Sequence, residues 1–256
     1  MRIATFNVNG VNGRLPLILE WLAGTKPDAV CLQELKSPDE KFPARAFEKA
    51  GYGAIWHGQM RWNGVAILGR DCEPVETRRG LPDDPDPTHS RYIEAAVCGV
   101  LIGCLYAPNG NPQPGPKFDY KLAWNERFLA HAQELFGLSE PVVLAGDYNI
   151  IPTDEDVYKP ERWLDDALMQ PEPREQYRRL LGQGWVDSIR RLHPGERVYT
   201  FWDYWRNAWA RNAGLRIDHL LLNPPAAKKL KRGGVDRDTR AKQGSSDHAP
   251  TWIELA

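Results

Sequence analysis

The sequence predicts a layered α/β fold, and three observations carry that expectation. Short apolar runs recur along the chain, each bounded by Gly, Pro, Asp or Asn. A few segments with helical spacing of apolar residues lie between them, the pattern of sheets covered by helices and not of a bundle or solenoid. Polar residues suited to chemistry stand at the ends of the apolar runs, where a rigid sheet holds side chains in a shared cleft. No Gly/Ser-rich linker, low-complexity tract or internal repeat divides the 256 residues, so residues 1–256 read as one domain.

The elements follow in order. Residues 2–8 (RIATFNV) alternate and read as a strand. Pro16 opens a helix carrying Leu17, Ile18, Trp21 and Leu22, stopped near Gly24 and Pro27. Residues 28–33 (DAVCLQ) read as a buried strand, and Phe42–Ala50 as a helix ended by Gly51. Strands are expected at 52–57, 64–69, 92–98 and 100–106. Residues 117–136 give the longest helix, with Leu122, Phe128, Leu129, Leu135 and Phe136 at helical spacing. After Pro141 the run VVLAG is a strand, Arg174–Leu181 a helix, and 198–202, 215–222 and 251–255 are strand-like.

Composition bounds the function only weakly. Net charge is −1, so total charge carries no nucleic-acid signal. Lys228, Lys229, Lys231, Arg232, Arg237, Arg240 and Lys242 do crowd one late segment, either a solvated face or a track for a phosphate backbone. Cys31, Cys72, Cys98 and Cys104 form no CxxC pair and read as reduced thiols, Cys31 and Cys104 lying within apolar runs. There is no signal-peptide pattern and no apolar stretch of membrane-spanning length, so the expectation is a soluble, cytoplasmic protein with no membrane partner.

Four segments carry chemistry. In AVCLQE, Glu34 ends an apolar run, either as a surface residue just past a strand or as a ligand to a hard divalent cation, which prefers oxygen donors. In VVLAGDYN, Gly146 allows close approach of backbone or substrate. Asp147 and Asn149 there either close the strand with a turn or act, Asp147 on an attacking water and Asn149 on a phosphate oxygen or metal-bound water. In GLRIDHLLLN, Asp218 sits in an apolar strand and requires a partner, an imidazole or a structural arginine. His219 falls on the opposite strand face and reads as structural. In SSDHAP, His248 is a candidate phosphate contact beside Asp247.

The order of these pieces is more specific than any one of them. Asn7, QE at 33–34, YAPNG at 106–110, GDYN at 146–149, LRID at 215–218 and SDH at 246–248 follow one another from the first strand to the last. In that order the chain resembles the exonuclease III branch of the endonuclease/exonuclease/phosphatase superfamily, over essentially its whole length. The resemblance implies a DNase I-like four-layered α/β sandwich, two packed mixed β-sheets flanked by helices, with the site at one rim. It implies Glu34 as principal metal ligand with Asn7 and Asp247 nearby, Tyr106 near the scissile phosphate, Asp147 activating water, Asn149 positioning, and Asp218 paired with His248. It implies Mg2+ as cofactor, with Mn2+ as a substitute.

Inositol-phosphate and sphingomyelin-cleaving relatives share GDxN and SDH. The inositol phosphatases carry a Trp-Cys-Asp-Arg motif where this chain has LRID, and YTFWDYWRNAWARNAGLRID resembles the DNA-repair branch instead. There, the resemblance implies, the aromatic at Phe201 or Trp202 and the apolar Leu215 line a pocket for an extruded baseless sugar, with Asn109 also on the DNA side. Flipping costs less for a nucleotide that has lost its base and its stacking. Trp205 and Trp209 have a plainer reading as core, and Arg61 and Asn63 form a further loop that could face DNA. The expected activity is magnesium-dependent cleavage of DNA 5′ to an abasic site, with 3′–5′ exonuclease and 3′-end cleaning, acting as a monomer on double-stranded DNA with abasic sites or blocked 3′ ends. The alternatives are a phosphatase or phosphodiesterase acting on lipid or small phosphate esters, and a DNA-binding protein without turnover.

Overall fold

A computed structural model describes residues 1–256. Along the chain run β1 (Arg2–Asn7), α1 (Leu15–Thr25), β2 (Ala29–Gln33), α2 (Ala44–Lys49), β3 (Tyr52–His57), β4 (Val65–Arg70) and β5 (Val75–Arg79). They are followed by β6 (Tyr92–Val97), β7 (Val100–Tyr106), α3 (Pro116–Phe136), β8 (Val142–Asp147), α4 (Pro171–Gly182), β9 (Val186–Asp187) and α5 (Ser188–Leu192). The last elements are β10 (Asp218–Leu222), α6 (Pro224–Lys229), β11 (Leu230–Val235), α7 (Arg237–Ala241) and β12 (Thr251–Leu255).

The strands form two six-stranded sheets, ordered β11-β12-β1-β2-β4-β3 and β5-β6-β7-β8-β10-β9. In each, one parallel pair, β1 with β2 and β7 with β8, sits among antiparallel neighbours, so both sheets are mixed. Inward residues of the two sheets, including Ile3, Cys31, Ile67, Ile102, Val143, Leu220 and Ile253, interdigitate in one cluster of 20 buried side chains. The opposite faces are covered by helices. Ile18, Trp21, Leu22 and Phe47 close the first sheet, and Trp124, Phe128, Leu135, Tyr177 and Leu180 close the second. This is the expected sandwich, and its helices lie on the outer faces because only there does a one-sided apolar stripe find a sheet face to cover.

Three expectations are adjusted. Strand β10 begins at Asp218, not at 215, because the Ile217 and Asp218 amides donate to the Thr200 hydroxyl at 3.1 and 3.2 Å instead of joining a ladder. Residues 198–202 make isolated bridges, Phe201 to Leu215 and to His248, in place of a strand. The basic run becomes the end of α6, the edge strand β11 and α7. Arg232 there pairs with Glu254 and Lys242 with Glu20 at the surface, while Arg240 is buried and donates to the Trp202 carbonyl at 2.9 Å. No helix is long and apolar enough to cross a membrane.

The topology gathers one rim. Strands β1, β2, β7 and β8 all end there, at Asn7, Gln33, Tyr106 and Asp147, while β10 and β12 begin there. Register does the fine placement: Asp147 lies opposite both Tyr106 and Asp218, and Asn7 opposite Gln33. Gly146 is required on the way, since a Cβ at that position would come within 1.9 Å of the Leu105 carbonyl oxygen. The close approach that the glycine allows is therefore that of the neighbouring strand.

Candidate active site

Asp147 is the centre of the site. It ends β8, is 2 % exposed, and accepts from Asn7 Nδ2 at 2.9 Å and from the Asn149 amide at 2.9 Å. Burial, reinforced by Asp218, pushes its carboxyl up to about 7, against the opposing pull of His248, Asn7 and the Asn149 amide. A carboxylate held near neutrality can take a proton and release it again. Asn149 adopts φ 49°, which an Asn tolerates, and its side chain donates to the Ala107 carbonyl at 2.9 Å and accepts from Asn109 Nδ2 at 3.2 Å. The YAPNG and GDYN loops are thereby stitched together.

His248 lies beside Asp147. Its Nδ1 donates to Asp218 Oδ2 at 2.9 Å, and its Nε2 stands 3.8 Å from Asp147 Oδ2. Burial alone would favour the neutral ring, but the Asp218, Asp147 and Asp247 charges outweigh it and hold the imidazole up to about 10. That balance favours the protonated ring, in which one N–H is committed to Asp218 and the other faces Asp147. Of the partners considered for Asp218, the imidazole is the one present. Arg216 is taken up by Asp156 and Asp187 at 2.7 and 2.8 Å. His219 is wholly buried on the other strand face beside Tyr148 and Tyr177, in the structural role expected of it.

Ligand atoms of Asp147, Asp218 and His248 lie within 4.8 Å of one another. This buried group has the donor types to hold a metal, and the Nδ1 of its ring is already bonded to Asp218. The oxygen-rich rim beside it suits a hard cation better. Glu34 there adopts φ 57°, a left-handed conformation costly for a Glu, and Lys36 Nζ pairs with its carboxylate at 2.8 Å. Asn9 Nδ2 donates to Asp247 Oδ1 at 3.1 Å, and Lys36 Nζ donates to Asn9 Oδ1 at 2.7 Å. The half-buried Tyr106 reports the local potential: burial first, then Glu34, Asp147 and Asp247, hold its phenol well above the usual range. The charges of Glu34, Asp147 and Asp247 all act on that hydroxyl, and carboxylate oxygens are the donors a hard divalent cation takes.

Phe201 faces the site edge-on to the His248 ring, centroids 5.0 Å apart. The two candidates for the aromatic wall are thereby separated. Trp202 is 0 % exposed and packs inward against Tyr199 and Trp209, so it is core and not pocket wall. Leu215 is buried with Ile151, Val157 and Ile217, and Phe201 packs on that cluster. Asn109 is exposed at the rim. Trp205 reverses the core reading, since it is 74 % exposed, whereas Trp209 packs with Trp202 as expected. Asn63 is buried, bonded to Gln59, while Arg61 and Trp62 on the same turn are exposed.

Three residues of the site were not found from the sequence. Lys121 of α3 is fully buried and its ammonium donates to the carbonyls of Asn109, at 3.0 Å, and Asn149. The signal was present, since Lys121 shares the helical face of Phe118, Trp124, Asn125 and Phe128, where a lysine is out of place. Asn9 and Lys36 carried no comparable signal, because their roles arise only when the β1 and β2 ends meet.

Two sheets that hold carboxylates, an asparagine and an Asp–His pair at one rim define a phosphoester-hydrolase architecture. The Endonuclease/Exonuclease/phosphatase family model matches residues 4–248, and the chain belongs to that family. It is 34% identical over 268 residues to exodeoxyribonuclease III of Haemophilus influenzae, covering 100% of both proteins. It superimposes on an AP endonuclease from Archaeoglobus fulgidus with a TM-score of 0.95 and 35% identity, covering 100% of this chain and 99% of the other. The 3′ phosphatase NExo from Neisseria, bound to a product DNA hairpin, gives a TM-score of 0.95 and 40% identity at 100% and 99% coverage.

Proposed function

We propose that the protein is a magnesium-dependent DNA-repair phosphodiesterase, cutting 5′ to abasic sites and also trimming and cleaning 3′ ends. The observation that carries this reading is Asp147, pinned by Asn7 and the Asn149 amide with the His248 imidazolium 3.8 Å away. The names borne by full-length relatives, exodeoxyribonuclease III, AP endonuclease and 3′ phosphatase, support the choice of DNA over other phosphate esters.

In this reading Asp147 holds a water by one proton and accepts that proton as the oxygen attacks phosphorus, a task suited to a carboxyl near 7. His248 donates Nε2–H to a non-bridging phosphate oxygen, and Asp218 keeps the ring charged and oriented. Asn7 and Asn149 fix Asp147 and the phosphate between them. Tyr106, its phenol fully protonated, donates toward the leaving oxygen. Glu34 and Asp247 would hold Mg2+, or Mn2+ in its place, with Asn7 adjacent, and that cation supplies Lewis-acid neutralisation of the phosphate charge when bound. Phe201, backed by Leu215, presents the apolar wall against which a sugar without a base fits, and exposed Asn109 meets the DNA backbone. We place the enzyme in the cytoplasm as a monomer of one domain.

The test is a 5′-labelled duplex with one internal tetrahydrofuran site, with and without Mg2+, beside Asp147→Asn. One magnesium-dependent cut at the site, lost in the variant, is expected. A ladder of shortened products without that cut makes the protein a 3′ exonuclease. An intact duplex in every lane refutes the proposal.

A further inference from the structure

The four cysteines form two pairs, and each pair spans the two sheets. Cys31 on β2 and Cys104 on β7 meet in the sealed core. Cys72 follows β4, Cys98 lies in the β6–β7 turn, and their sulfurs are 3.2 Å apart, with Cys98 exposed and Cys72 half-buried. Both strands leading to this second pair run away from the catalytic rim, so it joins the sheets at the opposite end.

Two features set the pair apart from an ordinary surface contact. Val97 and Val100 are register partners, so Cys98 and Gly99 are a two-residue turn, with φ 49° and 82°. That turn type favours Asn, Asp or Gly at its first central position, and a Cys there gains nothing from local backbone preference. The room for Cys72 is also made by a glycine: a Cβ on Gly69 would come within 2.9 Å of the Cys72 sulfur.

We propose that Cys72 and Cys98 are an oxidation site, a thiol pair that closes to a disulfide linking the two sheets in exchange with a low-molecular-weight disulfide such as oxidised glutathione. Cys98 begins the exchange, because it is the exposed partner and because burial, then the Cys98 contact, pushes the Cys72 thiol up to about 11. The Cys98 thiolate attacks the small disulfide, forming one S–S bond and expelling one small thiolate. The Cys72 sulfur then displaces the second small thiolate from Cys98 and forms the inter-sheet bond. The protein loses two protons and two electrons, and the small disulfide takes them up to become two thiols. A reducing glutathione pool holds the pair open, and an oxidative shift closes it.

The experiment incubates the full chain with oxidised glutathione, blocks free thiols, and maps peptides by mass, with Cys98→Ser and Cys72→Ser in parallel. The expected result is one intramolecular Cys72–Cys98 crosslink with Cys31 and Cys104 still reduced. Melting temperature should rise by roughly 5–10 °C, the effect of closing a loop of about 27 residues in a protein of this size. Dithiothreitol should reverse the rise, both serine variants should lack it, and rates on the abasic duplex should be unchanged. A stable mixed disulfide on Cys98 alone, a Cys98-linked dimer, a Cys31–Cys104 bond in its place, or four free thiols would each overturn the proposal. The readout is a crosslink and a melting temperature, so its outcome is independent of the nuclease assignment.

Discussion

Replacing Lys121 with methionine should separate activity from stability. Its ammonium bridges the Asn109 and Asn149 carbonyls and, with the Asn149 side chain, ties together the two loops that carry Tyr106, Asn109, Asp147 and Asn149. Lys121→Met keeps the length and removes the donors, leaving two buried carbonyls unpaired at about 1–3 kcal/mol each. Against that stands the relief of a buried charge. Burial, only partly countered by Asp147 and Asp166, pushes Lys121 from 10.5 down to about 7, a penalty on the charged form of about 5 kcal/mol. The two effects nearly cancel at neutral pH, so the melting temperature should move little. Catalysis has no such compensation: loops displaced by about 1 Å lower kcat by about 10²-fold, with a smaller change in KM. A signature in pH follows. A lysine whose folded value is depressed contributes most stability above 10.5 and loses it as pH falls toward 7, so wild type should gain stability over the variant between those values. Urea titrations across that range, with steady-state cleavage of the abasic duplex, test both halves. Wild-type kcat in the variant, or parallel pH–stability curves, would refute the reasoning.

Two further predictions rest on buried ionisable groups. Asp218→Asn keeps the shape of the Asp218–His248 contact but removes the charge that holds the imidazolium, and kcat should fall by about 10²–10⁴-fold with the melting temperature within a few degrees of wild type, read by single-turnover cleavage. The second concerns acid stability. His219, wedged against Arg216 at 3.1 Å, is held from 6.5 down to about 4 by burial and by that guanidinium. A base with a depressed folded value contributes stability that is complete above 6.5 and lost as pH falls to about 4, worth about 3 kcal/mol. Urea midpoints should therefore drop across that interval in wild type and much less in His219→Gln. Below it, Asp156, held at about 2 because Arg216 overcomes its burial, adds a second loss as pH falls from 3.8.

Much of this site was legible because its residues break the pattern of the strands that hold them. Asn7, Glu34, Asp147 and Asp218 each interrupt or end an apolar run, and a polar group there requires a partner whatever the fold. The elements that escaped were those whose burial is not written as alternation. Strand β5, VETRR, is exposed at every position, and β11 carries Lys231, Arg232 and two glycines, so neither shows an apolar face. The choice between Phe201 and Trp202 was equally closed to sequence. Adjacent residues point to opposite sides, and only the bridge from Phe201 to His248 fixes which side is the site.

The placement of the site between two sheets explains why its backbone is strained where it is. Asn7 and Glu34 come from one sheet, and Tyr106, Asp147 and Asp218 from the other. His248 leads into β12 of the first sheet yet bonds Asp218 of the second. No single sheet holds the constellation, so its distances depend on how the shared core seats one sheet on the other. Glu34 is the point of adjustment. Its left-handed backbone costs about 1–3 kcal/mol and would relax if free. It is held because the Gly10 amide donates to the Glu34 carbonyl at 2.8 Å, while the Leu35 and Lys36 amides donate to the Gly64 and Asn63 carbonyls at 3.2 and 3.0 Å. The β1 end and the turn before β4 thus grip the end of β2 from both sides. A carboxylate that must meet groups of the opposite sheet is positioned by its backbone before any cation or phosphate arrives, and the strain is what that preorganisation costs.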